Sequence, residues 1–176
     1  AYMWGKSNVA NVIPIQISRT WYEISQKLER PPILSYASYA LNNWKILDPG
    51  QPFDVENISI MQNFLGGVDE DWFIMIHVAI EYEAKEILTN LKSYFIEKNL
   101  EQSFLQKALE SMKKINAIMN RMPEKCDPFI YYNRVRPYIF GWKNNPATPD
   151  GVIYEGVDAY NGCLLYTSPS PRDVEE

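Results

Sequence analysis

Hydrophobic positions recur every three or four residues through the middle of the chain, a spacing typical of amphipathic helices. The longest such pattern follows three acidic residues that suit the positive end of a helix dipole, and it predicts a helix over residues 69–98. A partner helix is predicted over residues 101–121. The positions expected to face inward on the first helix are Phe73, Ile76, His77, Ile80, Ala84, Ile87, Leu88 and Leu91. Those on the second are Phe104, Leu105, Ala108, Leu109, Met112, Ile115 and Met119.

Two shorter helices are predicted before this pair. One spans about residues 17–29 and ends at Arg30-Pro31-Pro32, because a residue that precedes proline is pushed out of the α region. Ser35 is a suitable N-cap for another, which extends to about Trp44. The first third of the chain is therefore expected to be helical.

One more helix is predicted after the pair. It begins at Asp127-Pro128, the expected order of cap and proline, continues through residues 131–140 and is kinked at Pro137. The remaining segments are a turn-rich connector over 43–53, a short strand or helix over 58–65 that ends at Gly66-Gly67, and a loop from 141 onward. Together the patterns predict an all-α, mainly helical protein.

Composition and charge exclude several classes of protein. The chain has 176 residues, a net charge of −5 and 46% hydrophobic residues, which is the composition of a packed globular protein. Because the balance is acidic and no basic patch occurs, nucleic acid is not an expected partner. Since no run of 18 apolar residues is present, we expect a soluble protein and no membrane partner.

Cysteine and histidine content limits the redox and metal chemistry. Cys126 and Cys163 form no CxxC and no Cys/His ligand spacing, so we expect a reducing compartment and a cytoplasmic protein. A single histidine nearly excludes a zinc site of the usual kind.

Two side chains are candidates for chemistry, and the residues alone leave both open. His77, the single imidazole, lies on the apolar face of the longest predicted helix, where a lone histidine is more often a hydrogen-bonded core residue. Arg136 follows Tyr131 and Tyr132. Its guanidinium either forms a bidentate pair with a carboxylate or stacks as a cation on aromatic rings at the surface. No phosphate-binding glycine motif, nucleophile elbow or catalytic triad occurs.

Five short stretches occur in the same order as the motifs of one known family. They are AYxWG at 1–5, LExPPILxYA at 28–37, NWK at 43–45, DP at 48–49, and GWKxNP followed by DGxxYEG over 141–156. In these motifs the chain resembles the indoleamine 2,3-dioxygenase family, helical haem enzymes that insert dioxygen into tryptophan. The resemblance covers essentially residues 1–162.

The resemblance implies a two-domain helical fold of which this chain is a part. Residues 1–65 would form the C-terminal part of the small helical domain, and residues 66–162 the N-terminal part of the large haem-binding domain. Residues 163–176 resemble a translated sequencing adapter and are expected to be a non-native tail. The family's iron-binding histidine would follow residue 162, so we expect an inactive fragment with exposed apolar helix faces.

The resemblance also implies an activity. The family uses the iron of haem b and dioxygen to cleave the indole C2=C3 bond of L-tryptophan and related indoleamines, which gives N-formylkynurenine in the first step of the kynurenine pathway. A monomer is implied for the full-length protein, and the electron donor is left open.

Site roles follow from the resemblance position by position. The expected catalytic residues are His77 and Arg136. Phe73 and His77 would line the distal side of the haem, where the imidazole would hydrogen-bond the indole N–H or dioxygen. Arg136 would pair with the substrate carboxylate. The expected substrate-binding residues are Tyr36, Tyr39, Ala40, Phe73, Tyr131, Tyr132 and Arg136, and no residue of this chain is an expected metal ligand.

Two other functions remain open at this point. The first is a haem oxygen carrier on the same fold. The presence of Arg136 favours the enzyme, because only an enzyme needs a residue that binds the substrate carboxylate. The second is a helical interaction protein that binds no cofactor. Tyr131 and Tyr132 stand where phenylalanines are usual in the family, which changes the expected polarity of the pocket.

Overall fold

The computed structural model describes residues 10–97, 102–139, 148 and 151–157. Over these residues the protein is mainly helical with two small two-stranded sheets, which confirms the predicted fold class. Three predicted features lie outside the described residues: the tail at 163–176, the motif at 1–5 and the GWKxNP segment at 141–146.

The described chain contains both helices and short strands. In order they are β1 (Val12–Ile13), α1 (Ile15–Lys27), β2 (Trp44–Ile46), β3 (Ile58–Ile60), α2 (Val68–Glu97), α3 (Gln102–Asn120), α4 (Pro128–Ile130), α5 (Arg136–Ile139) and β4 (Ile153–Tyr154). Two π-helical segments, Ala37–Leu41 and Tyr131–Val135, and two 3₁₀ turns, Val55–Asn57 and Met122–Glu124, complete them. The helices predicted over 17–29, 69–98 and 101–121 are thus confirmed as α1, α2 and α3, with ends shifted by no more than two residues.

The chain divides into two compact units. The first unit contains the described residues up to Ser38 and from Tyr132 onward, and the second is Tyr39–Tyr131. The domain boundary predicted after residue 65 concerns the complete family fold and stays a prediction.

A parallel pairing of β1 with β4 joins the two ends of the first unit, with Ile13 opposite Tyr154. The buried Tyr154 ring packs against Trp21, and its hydroxyl donates to the Pro32 carbonyl over 2.8 Å. The predicted loop after residue 141 is therefore wrong at residues 153–154. The pairing depends on a partner strand far away in sequence, which the local hydrophobic pattern does not reveal.

The start of α1 is capped by a residue from the other end of the chain. The Ile15 N–H donates to the Glu155 side chain over 2.9 Å, and the Ser18 hydroxyl donates to the Glu155 carbonyl. Gly156 permits this approach, since a Cβ at that position would lie 2.7 Å from Cδ1 of Ile15 and its φ is +76°. The Glu155 side chain thus caps the Ile15 N–H, a helix donor for which no side chain at Pro14 provides a cap.

The helix predicted from Ser35 to Trp44 is only partly correct. A π-helical segment covers Ala37–Leu41, and the chain then enters β2, which pairs antiparallel with β3. The strand alternative predicted within residues 58–65 is the one the structure shows.

Asn43 explains why the helix stops early. Its side-chain amide donates to the carbonyls of Tyr39 and Gln62 over 3.0 and 2.6 Å, and its carbonyl oxygen accepts from the Gln62 N–H over 3.0 Å. Because Asn43 is 6% exposed, these bonds replace water as partners for the amide. The side chain therefore connects the end of the π-helical segment to the loop that follows β3.

The second unit is built around the first half of α2. The buried residues there are Glu70, Trp72, Ile74, Ile76, Val78 and Ala79. α3 packs against α2 in the antiparallel sense, because Lys114 pairs with Glu83 over 3.1 Å and Lys107 pairs with Glu86 over 4.0 Å. No helix among the described residues has the length and apolar character needed to cross a bilayer.

Several residues predicted to face inward do not. Side chains at five of these positions are more than half exposed: Leu88, Leu105, Leu109, Met112 and Met119. The side of α3 that is turned inward carries Phe104, Ala108 and Ile115, which are half-buried as predicted, together with buried Ser111. Two apolar stripes run along this helix about 100° apart, and sequence periodicity does not say which one contacts α2.

This correction predicts unequal effects of two matched truncations. Ile76→Ala should lower the free energy of unfolding of this chain by about 3 kcal/mol, because it removes a fully buried side chain. Leu109→Ala should lower it by less than about 1 kcal/mol, because Leu109 is 53% exposed. Urea titration followed by circular dichroism measures both, and equal losses would contradict the assignment of the α3 face.

Candidate functional site

An aromatic stack lies on the first turns of α2. The Phe73 ring stacks on the Tyr131 ring with 3.9 Å between centroids, and it contacts the His77 ring at 4.2 Å. Phe73 and His77 are one helical turn apart, so both project from the same side of α2. The structure therefore brings together three of the residues that the resemblance predicted for the site.

The His77 imidazole has a defined orientation. Its Nδ1 lies 2.7 Å from the Phe73 carbonyl oxygen, within the same helix. Because a carbonyl oxygen can only accept, Nδ1 carries the proton, and in the neutral ring Nε2 is then a hydrogen-bond acceptor. The geometry explains how a histidine is accommodated on an apolar helix face, and it fixes which ring nitrogen can act as an acceptor.

The side of α2 that carries this stack suits one face of a flat apolar group such as haem. It presents half-buried aliphatic, aromatic and imidazole side chains and no charge, at Phe73, His77, Ile80, Ala84, Ile87 and Leu91. His77 is the single histidine of the chain, so the chain offers no second imidazole for the opposite face. No group of three or more His, Cys, Asp or Glu residues within the described ranges is placed to hold a metal ion.

A buried carboxylate, that of Glu70, lies on α2 one turn before Phe73. Glu70 is 0% exposed, and its two side-chain oxygens accept the backbone N–H groups of Phe64, Leu65 and Gly66, each over 2.9 Å. The bend that presents these donors contains Gly66 and Gly67 at φ +78° and +100°, values that glycine adopts without strain. Glu70 thus fixes the loop that leads into α2.

Sequence reasoning missed the roles of Glu70 and Asn43. In the sequence Glu70 is one of three acids at a predicted helix start. The Glu70 side chain accepts N–H groups four to six residues earlier in the chain, an arrangement that resembles an extended capping box. The glycine pair before Glu70 is the sequence feature from which this role could have been predicted. Asn43 lies in the NWK motif, so the resemblance marked its position without giving its hydrogen bonds.

Tyr39 and Ala40, two of the predicted substrate-binding residues, are buried in the second unit. Ala40 is 1% exposed, and the Tyr39 ring stacks on Phe64 with 5.8 Å between centroids. The Tyr39 hydroxyl donates to Glu70 over 3.4 Å. Burial raises the pKa of Tyr39 far above its ordinary value, and the neighbouring Tyr131 and Glu70 raise this pKa further. Tyr39 therefore stays protonated and remains a donor.

The other three predicted residues belong to the first unit. Arg136 is exposed, and its guanidinium carbon lies 5.0 Å from the centroid of the exposed Tyr132 ring, the arrangement of a cation stacked on a surface ring. Tyr36 is half-buried just before the π-helical segment Ala37–Leu41. Binding roles for Tyr36, Tyr132 and Arg136 stay predictions.

The segment that carries Tyr131 is fixed at its start by Asp127. The Asp127 side chain accepts the N–H groups of Phe129 and Ile130 over 2.8 and 3.2 Å, and the Asp127 N–H donates to Asp69 of α2 over 2.8 Å. This confirms the predicted cap before Pro128. The helix predicted over residues 131–140 is π-helical at Tyr131–Val135 and α-helical at Arg136–Ile139, and the kink at Pro137 stays a prediction.

The described residues thus define a class: a mainly helical protein in which one helix presents an aromatic face with a single oriented imidazole. A profile of the indoleamine 2,3-dioxygenase family matches residues 1–171. The chain belongs to the indoleamine 2,3-dioxygenase family.

Individual family members agree with this assignment. The chain is 36% identical over 165 residues to indoleamine 2,3-dioxygenase 1 of Rattus norvegicus, and 32% identical over 163 residues to indoleamine 2,3-dioxygenase 2 of Homo sapiens. Each match covers 89% of this chain and 40% of the relative. The match to indoleamine 2,3-dioxygenase of Saccharomyces cerevisiae has 28% identity and covers 91% of the chain and 38% of the relative. The chain therefore spans about 40% of the length of the relatives it matches.

The cap at Asp127 gives a testable prediction. Asp127→Ala should lower the free energy of unfolding by about 1 kcal/mol, because two N–H groups lose their partner. Asp127→Asn keeps a hydrogen-bond acceptor and should lower the free energy of unfolding by less than half of that amount. Urea titration compares the two, and an alanine variant as stable as the asparagine variant would show that the cap contributes nothing.

Proposed function

We propose that the complete protein carrying this chain is a haem-dependent dioxygenase that acts on L-tryptophan and related indoleamines. The reaction cleaves the indole C2=C3 bond with dioxygen and gives N-formylkynurenine, the first step of the kynurenine pathway. Family membership supports the reaction class, and the stack of Phe73, Tyr131 and His77 is the observation that carries the site. We further propose a cytoplasmic monomer.

Haem, when bound, supplies the iron chemistry with dioxygen that no amino-acid side chain provides. In this proposal Phe73 and His77 hold one face of the porphyrin, and the uncharged side of α2 excludes water from it. Three features of this chain then act on the substrate: an aromatic wall, an oriented imidazole and a guanidinium group.

The aromatic wall positions the indole. The Phe73 and Tyr131 rings already stack on each other, so an indole ring that lies against them gains further offset stacking without reorganising the wall. Both rings are held by elements with their own hydrogen bonds, α2 and the capped segment after Asp127. The wall is therefore pre-organised for a flat bicyclic substrate.

The imidazole of His77 accepts the indole N–H in this proposal. Nδ1 is committed to the Phe73 carbonyl, which makes Nε2 the acceptor in the neutral ring. An acceptor suits the indole N–H better than it suits dioxygen, which has no proton to donate. His77 thus orients the indole so that its C2=C3 bond faces the reacting oxygen.

Arg136 binds the substrate carboxylate in this proposal. Its guanidinium stacks on Tyr132 in the present chain, and a planar guanidinium that stacks on a ring keeps its in-plane N–H groups available for a bidentate pair. This contact distinguishes amino-acid substrates from amines that lack a carboxylate.

Turnover of the complete protein tests the proposal and the role of His77. With ascorbate and methylene blue as reductants, tryptophan should give the absorbance of N-formylkynurenine. A stable oxy-complex without product would indicate an oxygen carrier, and no Soret band on titration with haemin would indicate a cofactor-free protein.

His77→Ala should lower kcat/KM by about tenfold, the value of one hydrogen bond, with little loss of thermal stability. A large loss of stability with normal turnover per folded molecule would make His77 a core residue.

The role of Arg136 is tested by comparing two substrates. Arg136→Ala should lower kcat/KM for tryptophan by about 10-fold to 100-fold, because a charge-assisted pair is lost. Tryptamine lacks the carboxylate, so its kcat/KM should change by less than about twofold. Arg134→Ala is the matched control, since Arg134 is another exposed arginine of the same segment. Equal losses for the two substrates would contradict the pairing.

A further inference from the structure

Asn43 uses all of its polar groups for hydrogen bonds. Its side chain bonds to the Tyr39 carbonyl on one side and to both backbone groups of Gln62 on the other. Its backbone N–H donates to the Ala40 carbonyl over 3.2 Å, and its carbonyl accepts from the Met61 N–H over 2.9 Å. This buried residue therefore joins the π-helical segment to the loop that follows β3.

The two segments meet again at Glu70. From the π-helical segment, the Tyr39 hydroxyl donates to the Glu70 carboxylate over 3.4 Å. From the loop, the N–H groups of residues 64–66 donate to the same carboxylate, each over 2.9 Å. An ionised carboxylate accepts about four hydrogen bonds, so these donors occupy its positions. Residues 39–43, residues 61–66 and Glu70 thus form a closed arrangement, which we call the clamp.

The clamp ends one turn before the aromatic stack. Glu70 lies in the first turn of α2, and Phe73 and His77 follow it after three and seven residues. Positions with these spacings lie on the same side of a helix. Because successive turns of a helix move together, a shift of the first turn at Glu70 carries the Phe73 and His77 rings with it.

We propose that Asn43 is a positioning residue for the candidate site: it holds the two segments of the clamp together and thereby sets the position of the turns of α2 that carry Phe73 and His77. The proposal rests on the proposed function, because it concerns how the residues that bind the indole are placed. The role assigned to Asn43 requires no contact with substrate or cofactor.

The chemistry of this position requires an amide. Asn43 donates two hydrogen bonds to carbonyls and accepts one from an N–H, a combination that an amide provides and an ionised carboxylate does not. Because Asn43 is 6% exposed, a carbonyl that loses its donor there finds no water to replace it. Loss of the amide therefore separates the two segments of the clamp.

The loop of the clamp depends on these bonds for its shape. It contains Gly66 and leads into Gly67, at φ +78° and +100°, and glycine restricts the backbone less than other residues do. Hydrogen bonds to Asn43 at the start of the loop and to Glu70 at its end supply the restriction that the local sequence lacks. The clamp thus sets where α2 begins.

Asn57 is a matched control for Asn43. Its side chain donates to the carbonyls of Asp48 and Pro52 over 3.0 and 3.3 Å, and it accepts from the Asp48 N–H over 3.0 Å. The number and type of side-chain bonds are therefore the same as at Asn43, but they close the connector between β2 and β3 and reach no residue of the clamp. Loss of this amide should lower stability without moving the stack.

The test compares Asn43→Ser with Asn57→Ser in the complete protein. Both variants should lower the midpoint of thermal unfolding. We expect kcat/KM for tryptophan to fall about tenfold in Asn43→Ser and to change by less than about twofold in Asn57→Ser. In a His77→Ala background Asn43→Ser should have a smaller effect, because one of the side chains that Asn43 positions is gone. Equal losses of kcat/KM in the two serine variants, or strictly additive effects with His77→Ala, would contradict the positioning role.

A second readout does not depend on turnover. With 4-fluorophenylalanine incorporated at position 73, the fluorine resonance reports the surroundings of this ring. It should shift in Asn43→Ser and stay unchanged in Asn57→Ser. Glu70→Gln loosens the other end of the clamp and should shift the resonance as well, which provides the measurement if Asn43→Ser does not fold.

The fluorine spectra also separate this inference from the proposed function. A resonance at the wild-type position in the folded Asn43→Ser or Glu70→Gln variant shows that the clamp does not position Phe73. If wild type forms no N-formylkynurenine while the resonance shifts in Asn43→Ser and not in Asn57→Ser, the positioning holds and the proposed function fails.

Discussion

A carboxylate removed from water must be matched by hydrogen-bond donors, and meeting this requirement at Glu70 organises the region around the candidate site. The loop before α2 supplies three backbone N–H groups to Glu70, and Tyr39 supplies a hydroxyl. The loop can converge on one side chain because Gly66 and Gly67 adopt positive φ. The requirement thus connects the start of α2, the preceding loop and the π-helical segment that ends near Asn43.

Periodicity predicted the long helices because their local pattern is strong, and it failed where distant residues decide the structure. α2 and α3 were correct to within a residue at each end. The pairing of β1 with β4 and the turn imposed by Asn43 depend on partners that are remote in sequence or on a single buried amide, so neither has a local signature. The two apolar stripes of α3 show the same limit, since the period gives their spacing and not the direction of the core.

The site was predicted from family motifs rather than from residue chemistry. His77 alone indicated a core histidine, and only the resemblance connected it with Phe73 and Tyr131, which the structure places in one stack. The orientation of the imidazole and the hydrogen bonds of Glu70 required coordinates. These features depend on hydrogen-bond geometry between side chains and backbone groups, which neither composition nor motif spacing encodes.

The closure of the first unit has a consequence for synthesis on the ribosome. Tyr39–Tyr131 is continuous in sequence, so this unit can fold as soon as it has emerged. The first unit needs β4 and Glu155 to complete its sheet and to cap α1, and these residues are translated more than a hundred positions later. At about 5–20 residues per second, the nascent β1 and α1 wait several seconds or longer before Val152 and Tyr154 are available to cover Ile13 and Trp21. During that interval α1 is a suitable substrate for chaperones that bind nascent chains.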